Sequence, residues 1–159
     1  MDIEFDVKMT TDKMYDYMLH HTLTSFQGIL GEAVGLLLIA GFFLSNKWPY
    51  LVFGIIVVLY LPVTLLLNAK KQVSLNPVFK EPLHYKLTEE GMEVTSGAQT
   101  ESLEWSKMYK AVSTSKNIIL YTSKVSASLF PRVDLGEQEV PVIEMISTHM
   151  NPKKVNLKI

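Results

Sequence analysis

The feature that most constrains this chain is one apolar stretch, GLLLIAGFFLSNKWPYLVFGIIVVLYLPVTLLLNAKK, residues 35–71. Between Gly28 and Leu67 only Glu32 and Lys47 carry a formal charge, although the mean hydropathy of the whole chain is a mild +0.18. A membrane-crossing helix needs about 20 mostly apolar residues, since about 1.5 Å of rise per residue must cover about 30 Å of hydrocarbon. The stretch divides into two segments near that length, 28–45 and 48–68, separated by SNKWP. Asn46 and Lys47 are costly at a bilayer centre, and Pro49 suits the first turn of a new helix. So short a loop makes the helices antiparallel and sets Trp48 and Tyr50 at the far interface, where amphipathic rings prefer to sit. A soluble helix keeps a polar stripe. Residues 36–44 have none, and only Tyr60 and Thr64 interrupt residues 51–67. A domain of this size cannot cover two helices that are apolar all round. The expectation is a transmembrane hairpin over residues 28–69; the alternative is an oligomer that buries both helices.

Basic residues close to the spans set the orientation. Lys70 and Lys71 follow the second span, with Lys80 further on, whereas the loop holds only Lys47. Positive-inside logic puts the region after the spans in the cytoplasm, and two crossings bring the N-terminal segment to the same side. The expected location is the plasma (inner) membrane, multi-pass, with both termini cytoplasmic. The opening MDIEFDVKMTTDK is acidic where a signal peptide has a basic region, and the apolar run begins too late for one.

Glu32 is the one acid within the apolar runs. A carboxylate at mid-bilayer costs about 2.5 to 3.5 kcal/mol on insertion scales, and intramembrane acids are often functional. On a continuous helix His21 shares a face with Glu32, but about 16 Å separates them along the axis, too far for one metal. His20 and His21 point different ways, so no metal site and no cofactor is expected from this set. Gly31 and Gly35 form a G-x-x-x-G pair that lets helix backbones approach closely, either the second span through Gly54 or another copy of the chain. Pro62 is expected to loosen or kink the second span.

Both flanks alternate. Ile3, Phe5, Val7 and Met9 oppose Glu4, Asp6 and Lys8 with the period of a half-buried strand. TTD then caps a helix over KMYDYMLHHTLTSFQ, with Met14, Tyr17, Met18 and His21 on one face, lying at the interface or leading into the first span. After Lys71, LHYKLTEEGMEVTS reads as a hairpin with a short glycine-containing turn. A turn at Ser96-Gly97 leads to a strand with Leu103 and Trp105 on one face. SKN is another turn, IILYTS and SASLFP are further strands, and GEQEVPVIEMISTHM carries Val140, Ile143, Ile146 and Met150 on one helical face. Strands followed by one helix suggest a small curled sheet or partly open barrel with a helical cap, as in pleckstrin-homology-like domains.

The expected fold class is therefore an α+β membrane protein: a two-helix transmembrane hairpin plus a small antiparallel β-sheet domain capped by a C-terminal helix. Residues 1–27 form the N-terminal strand and interfacial helix, 28–69 the hairpin, and 75–159 the cytoplasmic β-rich part. The N-terminal strand is expected to complete the later sheet, making the hairpin an insertion into one soluble body.

The residues carry a family resemblance. The N-terminal strand, TTDKMYDYMLHH, the paired apolar segments, YKLTEEGMEV, LEWSKMYKAVSTSKNIILYTS and LFPRVDL resemble the YcxB-like proteins, small bacterial membrane proteins. Trp105, Leu120, Tyr121, Pro131 and Arg132 carry most of the match. In that family a second basic residue and an aromatic tend to follow the proline; here Arg132-Val133-Asp134 stands in that place. The resemblance implies a two-span membrane protein with a sheet-rich soluble part, and supplies no reaction.

Composition narrows function by exclusion. A net charge of −1 gives no reason to expect a nucleic-acid partner, and the absence of cysteine removes disulfides, thiolate metal sites and cysteine nucleophiles. No metalloprotease helix, nucleophile elbow, P-loop or dinucleotide turn is present, and His84 and His149 have no neighbouring acid or nucleophile in the sequence. The leading expectation is a membrane-anchored binding or scaffolding module that takes a protein or peptide at the sheet edge. Arg132 with Lys124, and Lys153 with Lys154, are candidate contacts to anionic lipid. The alternative is a transport or channel-associated component built from several copies, with Glu32 as its polar element.

Overall fold

A computed structural model describes residues 2–158; Met1, which opens the first expected segment, and Ile159, which closes the last, lie outside the described residues. The elements run β1 (Ile3–Val7), α1 (Thr11–Leu23), α2 (Phe26–Ser45), α3 (Trp48–Leu75), β2 (Leu83–Leu87), β3 (Gly91–Ser96), β4 (Gln99–Glu104), β5 (Lys110–Ser113), β6 (Asn117–Tyr121), β7 (Ala127–Pro131), α4 (Arg132–Leu135), α5 (Glu139–His149) and β8 (Val155–Asn156). The chain is α+β, with two long apolar helices and two sheets.

The alternation of β1 does what its period requires: Ile3, Phe5 and Val7 are buried while Glu4 and Asp6 face solvent. β1 pairs antiparallel with β2, Phe5 opposite Tyr85, so the N-terminal strand returns to the later sheet across the whole helical insertion. Of the curled sheet or partly open barrel that the sequence suggested, a single continuous sheet is not formed: the strands make two sheets of four, ordered β1-β2-β3-β4 and β7-β6-β5-β8. Pairing stops between β4 and β5 because Trp105–Lys107 winds into a 3-10 turn at that corner. Trp105 pins the corner: it is buried, and its indole N–H donates to the Thr88 carbonyl at 2.9 Å. The short β8 lies parallel to β5, a pairing no sequence pattern announced.

The sheets meet through aromatic rings. Phe130 of β7 sits edge-on to Phe5 at 5.2 Å and to Tyr85 at 4.9 Å between centroids. Such edge-to-face contacts add about 0.5–1.5 kcal/mol beyond area burial. α5 buries Val142, Ile143 and Ile146, and Met150 just after it is buried too. Val140, expected on this face, is exposed instead. At about 100° per residue it lies about 90° from the centre of the face that Ile143 and Ile146 define, whereas Val142 lies about 70° from it on the other side.

α1 is bolted to the second sheet. The Asp16 carboxylate accepts from Thr114 Oγ1 and from Asn117 Nδ2, each at 2.6 Å. Lys13 pairs with Asp134 at 2.6 Å, Lys116 with Asp12 at 2.8 Å, and His21 Nδ1 lies 3.2 Å from the Tyr121 hydroxyl. Burial pushes the Tyr121 phenol up to about 12, so it keeps its proton at neutral pH. α1 does not run straight into α2. Ser25 donates to the Thr22 carbonyl at 2.6 Å and accepts from the Gly28 amide at 3.1 Å, making a bend. A Cβ on Gly28 would overlap the Thr22 carbonyl, so the bend needs glycine there.

α2 and α3 are long and apolar enough to cross a membrane, with mean hydropathies of 2.0 and 2.6 over their most apolar windows. Asn46, in the left-handed conformation at φ 54°, closes α2, and α3 continues unbroken through Pro62. The two helices touch at glycines. A Cβ on Gly35 would come within 2.7 Å of Val58, and one on Gly54 within 2.9 Å of the Ile39 backbone nitrogen. Gly31 takes no part: it is exposed, with nothing within 4 Å of a Cβ.

Candidate binding site

Among the described residues each sheet has two edge strands, β1 and β4 in one and β7 and β8 in the other, and the edges of β4 and β7 border the same trough. Among the described residues, β4 pairs with β3 alone and β7 with β6 alone. The β3–β4 turn is a two-residue hairpin over Gly97 and Ala98, so Ser96 and Gln99 form a hydrogen-bonded pair. Counting by two along the ladder, Glu101 and Leu103 also bond to β3. Thr100 and Ser102 then turn their N–H and C=O groups to the free edge.

Between the edges lies a trough. One cavity of about 440 Å³ is lined by Met92, Val94 and Leu103 on the first sheet and by Thr122, Ser126, Ala127 and Ser128 on the second. A second of about 270 Å³ shares Val94, Glu101 and Ala127 with it and adds Phe79, Leu83 and Tyr85. A third of about 240 Å³ continues past Phe79, Tyr85 and Ala127 to Tyr17, Gln72 and Val125. The shared residues make one trough, with an apolar floor and a hydroxyl-rich rim. Register explains the floor: Phe5, Tyr85, Val94 and Glu101 stand across the sheet on one face, as do Leu87, Met92 and Leu103. Burial pushes the Tyr85 phenol up to about 12, against the opposing pull of a hydrogen bond with Ser128, so this ring stays neutral. Glu101 brings the one carboxylate into the wider part. A trough with these surfaces suits an extended segment whose backbone pairs with an edge and whose alternate side chains are apolar.

The residues singled out from the sequence fall in different places. Arg132 turns inward: its guanidinium donates to the Thr114 and Lys158 carbonyls and pairs with Glu139. Lys124 is exposed in the turn after Tyr121, at the opposite end of the β6–β7 hairpin from Arg132. Five residues of strand, about 17 Å, separate those ends, so the two do not share a site. Lys154 reaches the Met108 carbonyl at 3.1 Å, while Lys153 is exposed. Glu32 is half-buried near the start of α2, with no hydrogen-bond or ion-pair partner among the described residues.

Sequence reasoning left the histidines without partners, and folding supplies them. His84 Nδ1 is 2.8 Å from Asp6 across β1–β2, and His149 Nε2 is 2.9 Å from Glu89. The first pair follows from strand register, Asp6 opposite His84; no sequence signal marks the second. His84 stands on the solvent face of its sheet, and His149 stacks against Trp105 at 5.9 Å. Asn117, which sequence reading passed over, is the one fully buried polar side chain among the described residues and ties α1 to the second sheet.

No curated protein and no solved structure matches this chain. Residues 87–146, running from the end of β2 through most of α5, match the model of the YcxB-like protein family, and over that segment the resemblance read from the residues is shown.

Proposed function

We propose that this chain is a two-span integral membrane protein with both termini in the cytoplasm, whose soluble body binds an extended segment of a partner protein. The membrane part rests on solvent exposure. Phe43 is 77 % and Leu44 90 % exposed, and only 11 % and 6 % of the apolar windows of α2 and α3 are covered by the chain itself. Large apolar patches without cover mark a lipid or protein interface. The strand order, four then three and then a helix, supports a pleckstrin-homology-like body with the hairpin inserted after its first strand.

The binding part rests on one observation: the open edges of β4 and β7 flank a trough with an apolar floor. Strand addition at such an edge takes affinity from main-chain hydrogen bonds and specificity from pockets for alternate side chains. Glu101 in the trough favours a segment carrying a basic residue. The test is Ser102→Pro, which removes an outward-facing amide and leaves the β3 ladder intact. A photo-crosslinker on a single cysteine at Thr100 in native membranes should give a discrete product, lost on Ser102→Pro. A product that survives the proline, or that also forms from Glu144 on the exposed side of α5, would reject edge binding.

A further inference from the structure

The spanning reading proposed above, on which this inference rests, does not by itself say which end of the soluble body meets the lipid. α1 serves as a ruler. It ends at Leu23, and α2 begins at Phe26, so the C-terminal end of α1 is the end beside the bilayer. Rungs along α1 run in register with β6: Asp12 meets Lys116, Asp16 meets Asn117, and His21 meets Tyr121. β6 therefore travels towards the membrane, and the 122–126 turn beyond Tyr121 is its membrane-proximal tip. A second placement agrees. Val125 lines a cavity with Gln72. About 20 residues of α3 from Trp48 cover the hydrocarbon, so Gln72 lies about 7 Å past that boundary, within the headgroup layer.

The charges sort along the same axis. At the distal end Lys13, Lys116 and Arg132 are paired with Asp134, Asp12 and Glu139; Lys8 and Lys158 are the cations there without an acid. At the proximal end Lys110 stands opposite Tyr121, and Lys154 reaches the Met108 carbonyl two residues before Lys110. Lys110, Lys124, Lys153 and Lys154, like Lys70 and Lys71, have no ion-pair partner among the described residues. Two acids stand at this end: Glu101, which lines the trough with Thr122 and Ser126, and Glu81, the first acid after Lys70 and Lys71 in the sequence. Val125 at the tip is 78 % exposed, an apolar side chain offered to solvent beside a lysine. We infer that the β6–β7 tip is a second membrane contact, in which Val125 enters the headgroup layer of an anionic bilayer and Lys124, with the unpaired lysines at that end of the second sheet, meets lipid phosphates.

The absence of cysteine makes the test clean. Full-length single-cysteine variants at Leu59, Val125 and Val133 carry an environment-sensitive fluorophore in nanodiscs with or without phosphatidylglycerol, with nitroxide quenchers on the lipid headgroup or acyl chain. Val133 is the control: it is 81 % exposed, like Val125, but lies at the distal end of β7. The expected result is acyl-chain quenching at 59, and headgroup quenching at 125 severalfold stronger than at 133. That excess should grow with phosphatidylglycerol and shrink with Lys124→Glu or added salt. Equal quenching at 125 and 133, with 59 deep in the acyl region, overturns the inference and leaves the spanning reading standing. Quenching at 125 that ignores lipid charge overturns the anionic contact. A label at 59 that stays in water rejects the spanning reading itself.

Discussion

The hairpin and the β-rich body use the same apolar residue types in opposite ways. In the body, Phe130, Ile118 and Leu120 are 0 % exposed and are surrounded by protein. In the hairpin, Leu37, Phe53 and Leu67 remain more than half exposed, and the two helices close tightly on each other at Gly35 and Gly54. Burial in the body withdraws apolar surface from water. In the hairpin the chain leaves that surface uncovered and close backbone approach joins the pair; on the spanning reading proposed above, lipid tails take the place of the protein interior. Association of helices in lipid gains little from hydrophobic burial, since lipid tails are as apolar as the side chains. The lesson is that an apolar residue is informative only together with what surrounds it.

The largest test of that contrast sets Phe130→Ala against Leu59→Ala. The first removes the ring that joins the two sheets and should cost about 3–5 kcal/mol of body stability. The second trims a side chain that is 54 % exposed and should cost well under about 1 kcal/mol. Trp105 fluorescence during denaturation of the detergent-solubilised protein reads the first; resistance of the hairpin to a denaturing detergent reads the second. Equal losses would break the comparison.

A step smaller is the joint between the regions. Asp16→Ala removes the shortest acceptor of the Thr114 hydroxyl and of the buried Asn117 amide, leaving them only the longer bonds to the Asn117 and Lys13 carbonyls, and should destabilise the body by about 1–3 kcal/mol. Protease sensitivity of the α1–α2 bend reports it, because α1 would loosen from the second sheet. An unchanged digestion pattern would mean that packing of Met14 and Tyr17 alone secures α1.

Within the hairpin the glycines should separate. Gly54→Val must displace the Ile39 backbone and should cost about 1–3 kcal/mol, the usual range for overpacking. Gly31→Val meets nothing and should be close to neutral in a monomer. If Gly31→Val instead dissolves an oligomer seen by crosslinking in membranes, that face of α2 packs against another copy.

The smallest effect is a pH dependence confined to the body. His149 is held above its usual range by hydrogen bonds to the Met145 carbonyl and the Glu89 carboxylate. A histidine raised in the folded state adds stability that is fully present below about pH 6.5 and is lost as pH rises through the folded value. Unfolding between pH 5.5 and 8.5 should show this loss in the parent chain and a weaker one in Glu89→Gln. Identical profiles would mean that the contact to Glu89 contributes nothing in solution.

The linear pattern carried the local structure because local structure obeys local periods. A period of two in IEFDVKM and LHYKL forecast β1 and β2, a continuous apolar run forecast α2 and α3, and Ser96-Gly97 marked the turn before β4. Much of the candidate site lay beyond that reach. Leu103, Val94 and Tyr85 were legible as one-sided strand residues, but that β4 and β7 would face each other across a trough depends on where the sheet breaks, and the break depends on the 3-10 turn at Trp105. Arg132 and Lys124 looked like one cationic site at a separation of eight residues. Strand geometry set them at opposite ends of a hairpin, and three acceptors drew the arginine inward.

Residue order alone determined the two apolar helices, the alternation of the outer strands and the exclusion of cysteine chemistry, since each follows from side-chain type at a fixed spacing. Only the folded chain decided that β2 is the strand onto which β1 closes, that His84 and His149 find Asp6 and Glu89, and that, among the described residues, Lys13, Lys116 and Arg132 are paired while Lys110, Lys124, Lys153 and Lys154 are not. Those outcomes depend on contacts between residues far apart in the chain, and no period of two or of 3.6 encodes a distance through space.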